Sequence, residues 1–397
     1  MDKQELTEII EKGEDSFTEF KEERVHPDDL AAGIVAFANT EGGNLMIGVS
    51  DDGKIVGVSD LDKEMQRIDN ICANNCEPTI YATVCKLIIE DKKILIVKIP
   101  KGPQRPYRTN RGVHYIRTAS GRRIAGPGEL ALIHQASGAL YYDELPVANT
   151  SIKDIRPEYF EEFLERFLGN NIENLGIKAE DLLKNMRILT SYEGDLVTTI
   201  GGLLFFGKKP EHHLPYCKVT IVRFFGNDIG ETFEKKDIEG RLIDQIERAE
   251  IILKDYLRSK TKIEGFKKEE PCFEIPIESL REAVINAVAH RNYQLPSQIR
   301  IFIFDNRIEI KSPGKLPNTL TIANIKLGFP LHRNPLIVSF LAKEHRMTEI
   351  GTGIPRMIRL IKEHTGREPD FEERDHEFIV RIRRPDNSKV EAGLDEA

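Results

Sequence analysis

Apolar residues recur along this chain with two periods, and the switches between them mark out the expected elements. Leu6, Ile9 and Ile10 share one face of a short N-terminal helix. Leu30, Ile34, Phe37 and Ala38 keep helical spacing from Pro27 to Asn39, where Glu41-Gly42-Gly43 stops the run. The pattern then shortens. Asn44 to Val49 reads as a strand, Asp51-Asp52-Gly53 as a turn, and Ile55 to Val58 as the second arm of a hairpin. Strands over 80–90 and 93–99 follow, joined by a charged turn. This order predicts an α+β domain closing near residue 140.

Beyond it, Pro157 to Phe167 is helical in pattern, while Thr198 to Phe206 and Lys218 to Phe225 read as buried strands. A long amphipathic helix is predicted over about 239–257, with Leu242, Ile243, Ile246, Ala249 and Ile252 on its apolar stripe. The last third predicts a helix over 278–291 and a hairpin over 298–311. A Gly/Pro-rich lid, a helix over 334–345, a glycine turn and a helix over 354–364 complete it. The charged stretch after Pro385 is expected to be disordered. The resulting plan is 1–140 as one domain, 141–238 as a mixed α/β connecting region, 239–385 as a third domain, and 386–397 as a tail.

Composition narrows the classes. With a formal net charge of −8 over 397 residues, the chain is not a wholly basic, histone-like binder, although local patches act locally. Five cysteines, an odd number, point to reduced thiols. No apolar run reaches bilayer length, and the acidic start MDKQELTEIIEKGE lacks the pattern of a signal peptide. A cytoplasmic protein without a membrane partner is the expectation.

The most informative segment is LREAVINAVAHRNY, 280–293. Leu280, Ala283, Val284, Ala287 and Val288 form its core face, and Glu282, Asn286 and His290 line a separate stripe beside it. The hairpin that follows ends in Ser312-Pro313-Gly314. Arg333 and Asn334 close the lid segment. Gly351, Thr352 and Gly353 then open a helix with Pro355 in its first turn, and backbone N–H groups at such a start suit an anion.

This ordered set resembles the Bergerat (GHKL) ATPases, closest to the divergent branch in RecG-helicase-related predicted transcriptional regulators. The resemblance implies a two-layer α/β sandwich that binds ATP with Mg²⁺. It implies that Glu282 acts on the attacking water and that Asn286 holds the metal. It further implies that His290, Ser312, Gly314, Arg333, Asn334, Gly351, Thr352 and Gly353 surround the nucleotide. One position departs from the pattern: Ser312 stands where GHKL proteins carry the adenine-reading Asp. Weak discrimination between adenine and guanine is therefore expected.

In the N-terminal third three motifs occur together: E-x-x-x-x-E-F-K at Glu14 to Lys21, FANTEGGNLMIGVSDDG at 37–53, and VHYIRTASGRRIA at 113–125. The combination resembles the Schlafen AlbA-like domain. In relatives that cleave RNA an acidic cluster holds a metal, and Glu14, Glu19 and Asp51 match its positions. Three carboxylates converging on Mg²⁺ would activate water on a phosphodiester. For Glu14 and Glu19 to meet, the chain must bend between them, since five residues apart on one strand they face opposite ways.

A second reading is binding. Arg105, Arg108, Arg111, Arg117, Arg122 and Arg123 run together with Tyr107 and Tyr115 among them. Arginines position phosphates and tyrosines stack on bases. A solvated, charge-balanced loop gives the same run.

His212, His213 and Cys217, and likewise Cys72 with Cys76, lack a recognised fourth ligand and read as structural. Taken together, the sequence predicts a nucleic-acid-binding, ATP-binding transcriptional regulator that forms a homo-oligomer and whose nucleotide state controls the arrangement of its domains. A metal-dependent ribonuclease with a nucleotide-responsive module, or a non-catalytic interaction scaffold, are the alternatives.

Overall fold

The structure is a computed structural model. It describes residues 3–385 apart from 90, 120, 169–177, 261–262, 265–266, 269–271 and 348–349. The expected disordered tail, 386–397, lies outside the described residues. Chain contacts divide the molecule into two units, Met1–Leu140 and Tyr141–Ala397.

The first unit is built on a four-stranded mixed sheet. Its strands are β1 (Thr18–Lys21), β2 (Gly43–Ile47), β3 (Thr83–Ile89) and β4 (Lys92–Ile99), in the order β1-β2-β4-β3. β1 and β2 run parallel, and the other pairs are antiparallel. Alternation along β2 and β4 gives the sheet two apolar faces. Leu45, Ile47, Leu95 and Val97 pack with α2 (Pro27–Asn39) and α3 (Leu61–Asn74). Met46, Ile94 and Ile96 face the other way, with Phe20, Ile9 and Ile10; the last two come from α1 (Lys3–Lys12). A two-stranded hairpin, β5 (Tyr115–Thr118) and β6 (Gly121–Ile124), leads into α4 (Pro127–Ser137). The expected hairpin after β2 is reduced to a single bridge, Val49 to Ile55. The edges of β2 are already taken by β1 and β4, and that long-range pairing leaves no local trace.

The second unit opens with α5 (Pro157–Leu168), α6 (Ala179–Asn185) and α7 (Ile200–Phe206). The segment expected as a strand over 198–206 is therefore corrected to a helix. Thr199 caps it, its hydroxyl accepting from Gly202 N at 3.0 Å. All seven helix residues are buried, which erases the amphipathic period that identifies a helix from sequence. A Cβ on Gly202 would lie 2.4 Å from the Ile188 carbonyl oxygen, so only glycine permits this close approach.

A six-stranded sheet follows. It comprises β7 (Val219–Phe224), β8 (Phe233–Ile238), β9 (Ile299–Ile303), β10 (Arg307–Pro313), β11 (Asp370–Glu373) and β12 (Glu377–Arg383), in the order β8-β7-β9-β10-β12-β11. One face carries α8 (Leu242–Tyr256), α9 (Ile277–His290) and α12 (Gly353–Thr365), packed on Ile299, Ile301, Ile308 and Ile310. The opposite face holds a smaller cluster of Val222, Phe224 and Phe304 with Phe302 against it. Charged residues continue that face, with Glu309 between Arg307, Lys311 and Arg381. This is the expected two-layer sandwich.

The domain boundary expected at 238/239 is not there. β7 pairs parallel with β9, Val219 opposite Ile299, so the connecting region supplies two strands of the same sheet. A hairpin over 370–383 supplies the other edge. A lid, residues 315–334, carries the short helix α10 (Ile322–Lys326) and runs into α11 (Pro335–Lys343). Among the described residues no helix is long and apolar enough to cross a membrane.

Candidate nucleotide site and the N-terminal arginine hairpin

α9, the end of β10, the lid and the start of α12 enclose a cavity of about 110 Å³. The core face of α9 fixes its register, so the stripe of Glu282, Asn286 and His290 lines the cavity as the spacing predicts. Ser312, Gly314, Gly351 and Gly353 also line it, and the rest of the wall is mostly apolar: Ile310, Ile325, Phe329, Met357, Phe378 and others. An apolar pocket with a few convergent polar groups is the usual form of a small-molecule site.

Each polar wall group has a defined partner. The Glu282 side chain is 6% exposed. One of its oxygens accepts from Asn286 Nδ2 at 2.7 Å and the other from the Arg356 guanidinium at 3.0 Å. A Cβ on Gly353 would fall 1.9 Å from the first of these oxygens, so glycine is what lets α12 begin against the carboxylate. Ser312 donates its hydroxyl hydrogen to the Ala287 carbonyl at 2.8 Å, which ties β10 to α9. Gly314 has φ +102°, and a Cβ there would lie 2.7 Å from Asn292 Cβ. His290 stacks on His332 of the lid, ring centroids 5.7 Å apart. Burial, with His332 and Arg333 beside it, pulls the His290 imidazole down to about 3, so it is neutral.

The lid lies closed on the glycine turn. A Cβ on Gly351 would be 2.0 Å from the Gly328 carbonyl oxygen, a backbone-on-backbone contact. Arg333 and Asn334, expected at the nucleotide, do not line the cavity with the lid closed. Arg333 is buried, which lowers its pKa to about 10, and it donates to the Lys315 carbonyl. Asn334 donates to the carbonyls of Ala289 and Arg291 at 2.9 and 2.8 Å. The two residues pin the base of the lid and the end of α9, satisfying carbonyls that the helix leaves free. Thr352 precedes α12 between the two cavity-lining glycines.

In the first unit the acidic set is not gathered on one metal position; Glu19 and Asp51 instead flank the Lys21 ammonium. Glu14 accepts from the Phe20 backbone N–H at 2.7 Å. Glu19, in β1, is buried and contacts Arg117 at 2.5 Å, Arg122 at 3.0 Å and Lys21 at 3.3 Å. Asp51 is exposed, 3.9 Å from Lys21. Among the described residues no three His, Cys, Asp or Glu side chains gather so as to hold a metal ion. The bend expected between Glu14 and Glu19 is present as the Asp15–Thr18 bridge, yet the carboxylate it delivers is neutralised by cations.

The arginine run divides in the same way. Arg117 is a core residue: its side chain is 3% exposed, it donates to the Asp15 carbonyl at 2.6 Å, and its guanidinium lies over the Phe37 ring. Arg105 is buried too, and burial pulls its pKa down. Neither stands at the open surface, although both line a cavity beside Asn39 and Thr40. Arg108 pairs with Glu77, Arg111 with Asp28, Arg122 with Asp29 as well as Glu19, and Arg123 with Glu129. Tyr107 is buried, and Tyr115 is partly buried against the same core. Arg108, Arg111 and Arg123 remain at the surface, each facing a carboxylate. Cys72 and Cys76 are buried, which pushes both thiols up to about 12 and leaves them protonated.

Comparison with known proteins gives three family matches along the chain. Residues 14–125 match the family described as "Schlafen, AlbA_2". Residues 296–382 match the family described as "Putative ATP-dependent DNA helicase recG C-terminal". Residues 131–220 match a domain of unknown function. The chain thus joins a Schlafen AlbA_2 domain to a RecG-related, HATPase-type module. The second match begins after α9, so Glu282 and Asn286 precede it. No curated protein matches the chain. Among solved structures it is similar to the DIP2311 protein from Corynebacterium diphtheriae, at 19% identity and TM-score 0.48, covering 96% of this chain and 80% of that one. The N-terminal domain of a "Putative ATP-dependent DNA Helicase RecG-related Protein" from Nitrosomonas europaea is 22% identical, with TM-score 0.24, covering 31% of this chain and 86% of that one.

Proposed function

We propose that the second unit binds ATP with Mg²⁺ in the cavity between α9, the lid and the glycine turn. In this reading the chain is a nucleic-acid-binding regulator whose nucleotide state sets the position of the lid. The observation that carries the reading is the convergence of Glu282, Asn286, Gly351 and Gly353 on one apolar cavity. Those residues fit the group. Apolar walls suit a base and ribose, and glycines leave backbone N–H groups open to phosphate. With Nδ2 committed to Glu282, the Asn286 oxygen is left for a cation. Mg²⁺ usually takes one or two protein ligands and completes its shell with phosphates and water, so a single Asn is compatible with it. Bound there, the metal would neutralise phosphate charge.

The cavity is small beside the roughly 300–1,000 Å³ of typical ligand pockets. Entry therefore requires the lid to part from Gly351. Differential affinity for the parted lid is what would couple nucleotide to conformation. Ser312, committed to the Ala287 carbonyl, offers no carboxylate to read adenine, in keeping with weak base discrimination. For the first unit we favour nucleic-acid binding through the surface arginines. Cleavage is not favoured, because Glu19 is held by three cations. Titration calorimetry with ATP, GTP and ADP in Mg²⁺ tests the nucleotide reading: it expects binding of ATP with GTP within about an order of magnitude, a gap of about 1.4 kcal/mol. Absence of heat with all three would remove it.

A further inference from the structure

The partners of Glu282 are those that a phosphate would seek. Arg356 projects from the first turn of α12, the Asn286 amide donates from α9, and the start of α12 abuts the carboxylate at Gly353. Donors of this kind at a helix start make an anion site. Here the anion is the chain's own. The Glu282 side chain is 6% exposed, whereas Arg356 is 55% exposed and free to swing while remaining on α12. Resting on the nucleotide reading above, we propose that Arg356 is a phosphate ligand of this site and that Glu282 occupies the phosphate's place until nucleotide arrives.

The physical consequence is competition. Glu282 and a nucleotide phosphate are both anions, and both are drawn to the same guanidinium beside the same helix start. They cannot both keep these contacts without like-charge repulsion in a buried setting. Binding must therefore turn Glu282 away from Arg356. The turn frees its carboxylate for water only once phosphate is present. A residue acting solely as a base on water would leave binding unchanged when neutralised. A resident anion gives the opposite result: its neutralisation tightens binding.

The test is calorimetry of the full chain with ATP and with adenosine, in Mg²⁺, for wild type, Glu282→Gln, Arg356→Gln and Arg356→Lys. Glu282→Gln should bind ATP about tenfold tighter and Arg356→Gln about tenfold weaker, the scale of one charge-assisted contact. Arg356→Lys, which keeps the charge but not the fork, should fall between. Adenosine, lacking phosphate, should bind all four alike. Unchanged ATP affinity in Arg356→Gln, or unchanged or weaker affinity in Glu282→Gln, overturns the proposal while leaving nucleotide binding intact. Failure of wild type and Glu282→Gln to bind either ligand would instead remove the nucleotide reading, and this inference with it. Thermal melts establish that each variant is folded. If Arg356→Gln is not, the opposed effects expected of Glu282→Gln and Arg356→Lys decide the matter.

Discussion

Replacing Glu19 by alanine should unfold the first unit more readily, with no metal, nucleotide or nucleic acid present. The reason is Arg117, whose side chain is 3% exposed and whose carboxylate partner lies 2.5 Å away. Removing one member of a buried pair leaves the other charge stranded, at a cost of about 3–5 kcal/mol. Two features favour the lower end of that range. Arg117 keeps its bond to the Asp15 carbonyl, and Lys21 and Arg122 are more exposed than Arg117 and can turn to water. At about 2–4 °C per kcal/mol for a unit of this size, a loss of about 3 kcal/mol lowers the midpoint by roughly 10 °C. Differential scanning calorimetry on the full chain would follow the transition of this unit. A Glu19→Met, Arg117→Met double variant should recover much of the loss, because well-packed apolar residues replace buried ion pairs at little cost. Were Glu19→Ala to melt with wild type, the ion pair would not be holding the domain together. The carboxylate would then be free for the metal role that its neighbours now deny it.

Asp143 gives a pH signature in the second unit. Burial raises its carboxyl from 3.8 to about 7, although it accepts from the Ile337 N–H at the start of α11. The unfolded chain releases that proton near its ordinary value and the folded chain keeps it. The contribution of this group is therefore full below about pH 4, declines as pH rises to 7, and is flat above. Asp143→Asn should abolish that decline in denaturant titrations at pH 5 and 8; a parallel decline in the variant would contradict the assignment. Ser312→Ala should cost about 1 kcal/mol, one neutral hydrogen bond, and leave the ATP-to-GTP affinity ratio unchanged. A shifted ratio would mean that the hydroxyl reads the base. Replacing Arg108, Arg111 and Arg123 by alanine should lower by roughly 2 the slope of log affinity against log salt for single-stranded nucleic acid, at about 0.7 per phosphate contact. An unaltered slope in a filter-binding series would place the interface elsewhere.

Much of the second unit was legible because its chemistry travels on one periodic helix. Once Leu280, Val284 and Val288 point into the core, Glu282, Asn286 and His290 must share the adjoining face. The glycines were legible for a similar reason: Gly314 and Gly351 have φ of +102° and +75°, values that other residues seldom adopt. What escaped was non-local. The parallel pairing of Val219 with Ile299 crosses an intended domain boundary. The run EFIVRIR at 377–383 has strand-like alternation, but its partners, β10 and β11, are set by long-range pairing and a tight turn. Arg356 was missed at the site because, on α12, it reads as an ordinary solvent-facing cation. In the first unit the motif positions were found, but their partners were not. Glu19 and Arg117 are 98 residues apart, and no local pattern announces that a candidate ligand and a candidate phosphate contact neutralise each other.

The most direct test is a crystal structure of the full chain with Mg²⁺ and a non-hydrolysable ATP analogue. The analogue is expected between α9 and the lid, its phosphates against Gly351 and Gly353, Asn286 on the metal, and Gly328 moved off Gly351. Crystals grown at saturating analogue with the cavity empty, the lid still on the glycine turn and Glu282 still paired to Arg356 would contradict this expectation.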